Sequence, residues 1–140
     1  MSIKQLSIFL ENKSGRLTEV LETLGQEKIS IAALSIADTS EYGILRLIVS
    51  RPDEALHLLK ARNFSVNQTD VIGIETPVEA GSFAKVLKSF SEESISIEYM
   101  YAFAYGNKGI IVVRTDDRQK ALLIVAKKAF TLVTVDKIFK

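Results

Sequence analysis

Ile29-Ser30-Ile31 and Ile95-Ser96-Ile97 are one tripeptide written twice, 66 positions apart. The same offset pairs the flanking sequence in both directions. Upstream, Gly15 meets Gly81 and Val20-Leu21 meets Val86-Leu87. Downstream, Gly43-Ile44 meets Gly109-Ile110, Ala55-Leu56 meets Ala121-Leu122, and Phe64, Asp70 and Ile72 meet Phe130, Asp136 and Ile138, without a gap. Whole blocks in one register mark a chain built from two copies of a unit of about 70 residues, with boundaries expected at 1–70 and 71–140.

Each copy reads as the same succession of elements. Leu6, Ile8 and Leu10 alternate with Gln5 and Ser7, a half-buried strand. Leu17, Val20, Leu21 and Leu24 follow at helical spacing and form one apolar stripe. The β-branched stretch from Ile29 to Ile36 predicts a second strand, and Ile44–Val49 a third, with Glu41-Tyr42-Gly43 at the turn between them. Pro52-Asp53-Glu54 opens a second helix, proline at its start and acids at its positive end. Phe64-Ser65-Val66 leads into a last strand that runs on through Val71–Ile74. In the second copy Phe83, Val86, Leu87 and Phe90 carry the first stripe. Ile95–Tyr105 and Gly109–Arg114 are the inner strands, Asp116-Asp117 opens the second helix, and Thr131–Ile138 closes the unit. Strand, helix, strand, strand, helix, strand is the ferredoxin-like order. The expected class is therefore α+β: two ferredoxin-like βαββαβ domains in tandem, with antiparallel sheets and helices on one face. A unit this small is marginal alone, so the halves are expected to support each other.

Composition narrows the function. Eighteen Lys and Arg balance seventeen Asp and Glu, which argues against a broad nucleic-acid footprint. The chain contains no cysteine, so disulfides, thiolate ligands and cysteine nucleophiles are excluded. That absence favours a reducing compartment. No long apolar run follows Met1–Leu6 and none approaches a bilayer span. The expectation is a cytoplasmic protein with no membrane partner.

The chemistry concentrates where the first strand hands over to the first helix, at Asn12-Lys13-Ser14-Gly15-Arg16-Leu17. The leading N–H groups of a helix lack intrahelical partners, and the dipole adds positive charge there. A carboxylate or phosphate is favoured at such a spot. Gly15 leaves the backbone open to a ligand. Asn12 offers a donor and an acceptor, which suits the ammonium and carboxylate of a free amino acid. Asn and Ser also cap helices for purely local reasons, so the loop alone does not decide between binding and capping.

This loop resembles the Asn/Asp-x-Pro-Gly-x-Leu motif of the ACT domain family of small-molecule-binding regulatory modules, with Ser14 where proline is usual. Ile29-Ser30-Ile31 is similar to that family's hydrophobic-Asn-Ile entry into the second strand, with Ser30 in the asparagine place. The likeness covers nearly the whole chain, once per half. It is similar in particular to the stand-alone tandem ACT proteins, whose second half often reads like Ile97–Phe103. The resemblance implies a non-catalytic regulatory protein that needs no cofactor or metal and acts as a homodimer or on a partner enzyme. It also implies ligand binding where two ACT units meet. Asn12 would hold polar atoms of the ligand, and the backbone of Lys13, Ser14, Gly15, Arg16 and Leu17 would face its carboxylate. Leu10, Ser30 and Ile31 would lie alongside, Ser30 contributing less than an asparagine. In the second half Val78 replaces Asn12. Glu79-Ala80-Gly81-Ser82-Phe83 keeps only the glycine and a bulky end, so a weaker second site is expected there, with Ser96.

The halves also differ along their second strands. Tyr99, Tyr101, Phe103 and Tyr105 alternate onto one face with Ile97, where the first copy has Ala33, Ser35, Ala37 and Thr39. Either these rings pack a core or interface, or, with Met100 beside them, they wall one principal pocket opposite the polar loop and favour a bulky side chain. Other candidates are weaker. His57 is the sole histidine and lies in a charged helix. Asp116-Asp117 reads as a helix start and Glu92-Glu93 as a solvated helix end, and no cluster has metal-ligand, Walker or dinucleotide spacing. RNA binding by an RRM-like sheet shares the element order. However, the aromatics sit on the second strand and the third strands are aliphatic. An enzyme on this fold, or a subunit that docks on a metabolic enzyme without a ligand of its own, remain the alternatives.

Overall fold

The computed structural model describes residues 3–11, 15–38 and 42–139. Asn12, Lys13, Ser14, Thr39 and Glu41 lie outside the described residues. The elements run β1 (Ile3–Glu11), α1 (Arg16–Gln26), β2 (Ile31–Asp38), β3 (Tyr42–Val49), α2 (Pro52–Ala61), β4 (Ser65–Pro77), α3 (Ser82–Glu92), β5 (Ile97–Tyr105), β6 (Lys108–Thr115), α4 (Arg118–Lys127), β7 (Thr131–Leu132) and α5 (Val135–Ile138). They form two compact units. One holds Lys4–Thr69 and Phe139, and the other holds Asp70–Ile138 together with Ile3. The first unit orders its strands β2-β3-β1-β4 and the second β5-β6-β4-β7. This is the ferredoxin-like order twice, with β4 serving as the last strand of one and the first of the other. Among the described residues no helix is long and apolar enough to cross a membrane.

The apolar stripes account for each core. In the first unit Leu6, Ile8, Leu10, Leu45, Leu47 and Val49 of the sheet meet Val20 and Leu24 of α1 and Ala55 and Leu59 of α2. In the second, Ile72, Ile74, Ile111 and Val113 meet Val86 and Phe90 of α3 and Ala121, Ile124 and Val125 of α4. Thr23 and Ser89, again 66 apart, are buried and donate their hydroxyls back to the carbonyls of Glu19 and Lys85.

The first four helices end the same way. Lys28, Asn63, Ser94 and Ala129 take positive φ of 56–67°. The next residue, Ile29, Phe64, Ile95 or Phe130, returns its N–H to a carbonyl five positions back. This is the Schellman termination, with a hydrophobic residue closing it. Helix starts follow three designs. α1 and α3 begin after Gly15 and Gly81, both left-handed at φ 88° and 85°, with no side-chain cap. α2 carries Pro52 at its first turn, and α4 is capped by Asp117, which accepts the Lys120 N–H at 3.0 Å.

Two expectations are corrected. Thr131–Ile138 is not one strand. Only Thr131 and Leu132 pair with β4, Val133 donates to the Gly73 carbonyl, and Thr134 accepts the Lys137 N–H on its hydroxyl, opening α5. Asp136 and Ile138 therefore sit in a helix, although Asp70 and Ile72, their counterparts in the repeat, sit in a strand. The second correction concerns Ile97. A register shift between Ile97 and Tyr99 breaks the alternation, so Ile97 packs against the helix-side core with Met100. Tyr99, Tyr101 and Phe103 then point to the opposite face, beside Arg114, Val112 and Ile110.

Candidate functional site

The start of α1 is set by backbone chirality. An L-residue strongly resists φ near 88°, whereas glycine does not. A side chain added at Gly15 would meet nothing within 4 Å, and the same holds at Gly81. The glycines therefore serve a left-handed turn, and the space over both positions is open. Around Gly15 the neighbouring side chains turn to their own unit. Arg16 pairs with Glu19 at 2.9 Å, and its guanidinium lies 4.3 Å from the centroid of the Phe64 ring. Leu10 is buried in the core, and Leu17 and Ile31 pack against it.

Ser30 and Ser96 occupy a different region. The Ser30 N–H donates to the Ser50 hydroxyl at 3.0 Å, and the Ser50 N–H returns to the Ser30 carbonyl at 2.9 Å. Asp116 holds Ser96 by the same two bonds, each 3.0 Å. Strand register then fixes the separation. Leu10, Gly43 and Asp38 stand in one cross-strand row at the loop end of the first sheet, whereas Ile31 pairs with Val49 at the far end. In the second sheet Pro77, Lys108 and Tyr105 share the loop end, and Ile97 pairs with Thr115 at the other. Eight steps of about 3.3 Å separate the ends of β5, roughly 26 Å. Within either unit, the loop and the entry to the second strand lie too far apart to touch one small ligand.

The aromatic row is divided in the same way. Tyr99 lies opposite Arg114, whose guanidinium is held by Glu98 at 2.8 Å. That carboxylate, with Tyr99 adding to it, raises the Arg114 pKa above its ordinary value. Phe103 lies toward the loop end. Tyr99 and Tyr101 are half-buried.

Phe103 lines an open cleft of about 420 Å³ that it shares with Pro77, Val78, Glu79, Ala80, Phe83, Ala102, Ala104 and Gly109. The Phe83 ring rests over Gly109: a methyl there would stand 3.0 Å from its edge. Tyr99, Met100 and Tyr101 are not part of this cleft, and neither is Ser96. A second cleft of about 330 Å³ shares Pro77, Glu79 and Ala80 with the first and adds Gly81, Ser82 and Lys85. The residues expected at the second-half loop are thus shared between two clefts. What the sequence reading missed is Ala102 and Ala104, whose short side chains border the cleft, and Gly109, over which the Phe83 ring rests. Their repeat counterparts Ile36, Asp38 and Gly43 would have pointed to the first two of them.

On the opposite face of this unit, Glu75 is held by Lys108 at 2.9 Å and Lys137 at 3.7 Å. The Lys108 hydrogen bond, helped by both ammonium charges, keeps the Glu75 carboxyl below its ordinary pKa.

A duplicated ferredoxin-like unit with an open glycine turn before its first helix defines a two-copy regulatory module. The family model for the ACT domain pair matches residues 1–140, and the chain belongs to that family. A crystal structure of a Bacteroides thetaiotaomicron protein is 48% identical over 100% of this chain and 97% of its own, with a TM-score of 0.94. The ligand-free regulatory subunit of aspartate kinase from Thermus thermophilus shares the fold at 17% identity, over 91% of this chain and 93% of that one, TM-score 0.64. The corresponding subunit from Thermus flavus does so at 16% identity, 91% and 92% coverage, TM-score 0.63. No curated protein matches the sequence.

Proposed function

We propose that this chain is a non-catalytic regulator that binds a free amino acid at the turn before α1. The ligand is completed by the second-strand entry of a different unit, in a homodimer. One observation carries the reading: the glycine turn at Gly15 is open above a helix start with no side-chain cap among the described residues, a place that favours a carboxylate. The separation of loop and strand entry within each unit supports assembly from two. Binding across units would favour their closed arrangement and couple ligand level to a partner enzyme through that differential affinity.

A thermal-shift screen of the twenty amino acids tests this. Ligand at 100 times its Kd adds about 2.7 kcal/mol, a rise of about 5–10 °C for a chain of this size. Asn12→Ala abolishes the rise. Sedimentation with and without the active amino acid reports the dimer. A flat screen overturns the sensing reading in favour of a subunit that docks on an enzyme without a ligand.

A further inference from the structure

The cleft of the second unit lies where that copy carries small residues. Ala102 stands at the position of Ile36, and Ala104 at that of Asp38. On the loop side Val78 replaces Asn12, taking away the group that would grip an amino acid's polar ends. The wall that remains is apolar except for Glu79. Among the described residues Glu79 forms no ion pair. Glu79 borders the neighbouring cleft as well, whereas the groups of this region that favour an anion, Lys85 and the turn at Gly81, line only that neighbour.

We infer that this cleft is a separate small-molecule site whose ligand is an amine with an aliphatic or aromatic body and no carboxylate. Its volume is in the range of small-ligand sites, which pair mostly apolar linings with a few placed polar groups. Val78, Phe83 and Ala102 remove the ligand's body from water. Glu79 attracts an ammonium and repels a carboxylate, so a zwitterionic amino acid gains at one end and loses at the other. The inference stands on this lining and not on the reading of the Gly15 turn.

The test is an amide-resolved NMR titration of the full chain with phenethylamine and, separately, with 3-phenylpropionate. The amine shifts residues 78–83 and 102–109 and binds about tenfold more tightly than the acid, the scale of one partly exposed charge attracting one probe and repelling the other. Ala102→Ile, which installs the first unit's own residue, abolishes amine binding, and Ala104→Ile does the same should the first variant misfold. Glu79→Gln weakens the amine about threefold and brings the two probes to parity. Equal affinity of the two probes in the unaltered protein, or amine binding that survives both isoleucine variants, overturns the inference. Asn12→Ala leaves the amine titration unchanged, so this site and the amino-acid site can fail independently.

Discussion

The two units place different chemistry at the same diagonal of their own strand pairs. In the first, Phe9 and Tyr42 meet with ring centroids 6.4 Å apart. In the second, the residues 66 positions on are Glu75 and Lys108, joined at 2.9 Å. The two units share four devices of backbone shape: the left-handed glycine, the Schellman ends, the back-bonded hydroxyls and the two-bond clasp at Ser30 and Ser96. The exchange of side chains changes what each surface does. Phe9 and Tyr42 remain 43% and 46% exposed, an aromatic pair at the surface. The Glu75 side chain is 14% exposed under α5, and its ion pair depends on pH. Duplication has kept the frame and released its faces to diverge.

Substitutions that break the parallel should be graded. The largest effect is expected at Phe90, fully buried in the second core where the first has Leu24. Phe90→Ala should cost about 3–5 kcal/mol. Amide exchange should rise in α3 and β6 before it rises in the first unit. Uniform acceleration across both would show that the units unfold as one.

Next comes the ion pair. The folded-state pKa of Glu75 lies below its ordinary value of 4.5. Its contribution is therefore complete above that value and lost as pH falls through the depressed one. Glu75→Gln should cost about 1 kcal/mol at neutral pH and less at an acid pH below 4.5. Denaturant midpoints at the two pH values measure this, and equal losses at both would remove the electrostatic account. The smallest effects lie at the helix ends. Ala129→Gly should stabilise by about 1 kcal/mol, because alanine is strained at positive φ. Asn63→Gly should gain only a few tenths, since asparagine tolerates that conformation. A calorimetric Tm that ranks them the other way would show that their side chains contribute contacts.

The repeat made the fold legible. Core positions recur in one register, and glycine, proline and acidic residues mark the turns. The second-strand bulge was not legible: Ile97, Tyr99 and Tyr101 alternate perfectly, and only pairing with β6 reveals the extra residue that turns Ile97 to the core. The short last strand was partly legible, because Thr134 followed by Asp136 has the make-up of a helix start. Of the site, the sequence marked the glycine turns at Gly15 and Gly81. It did not reveal that Ser30 and Ser96 sit at the far ends of their sheets, because topology sets that separation. Nor did it reveal the cleft that Ala102, Ala104 and Gly109 border.

The emptiness around Gly15 and Gly81 has a practical consequence. What excludes other residues from these turns is handedness, not crowding. A D-amino acid placed there by chemical ligation adopts that handedness without strain. Its side chain could carry a fluorophore or a spin label at the mouth of either helix, one copy at a time, and so report occupancy where the two halves differ most.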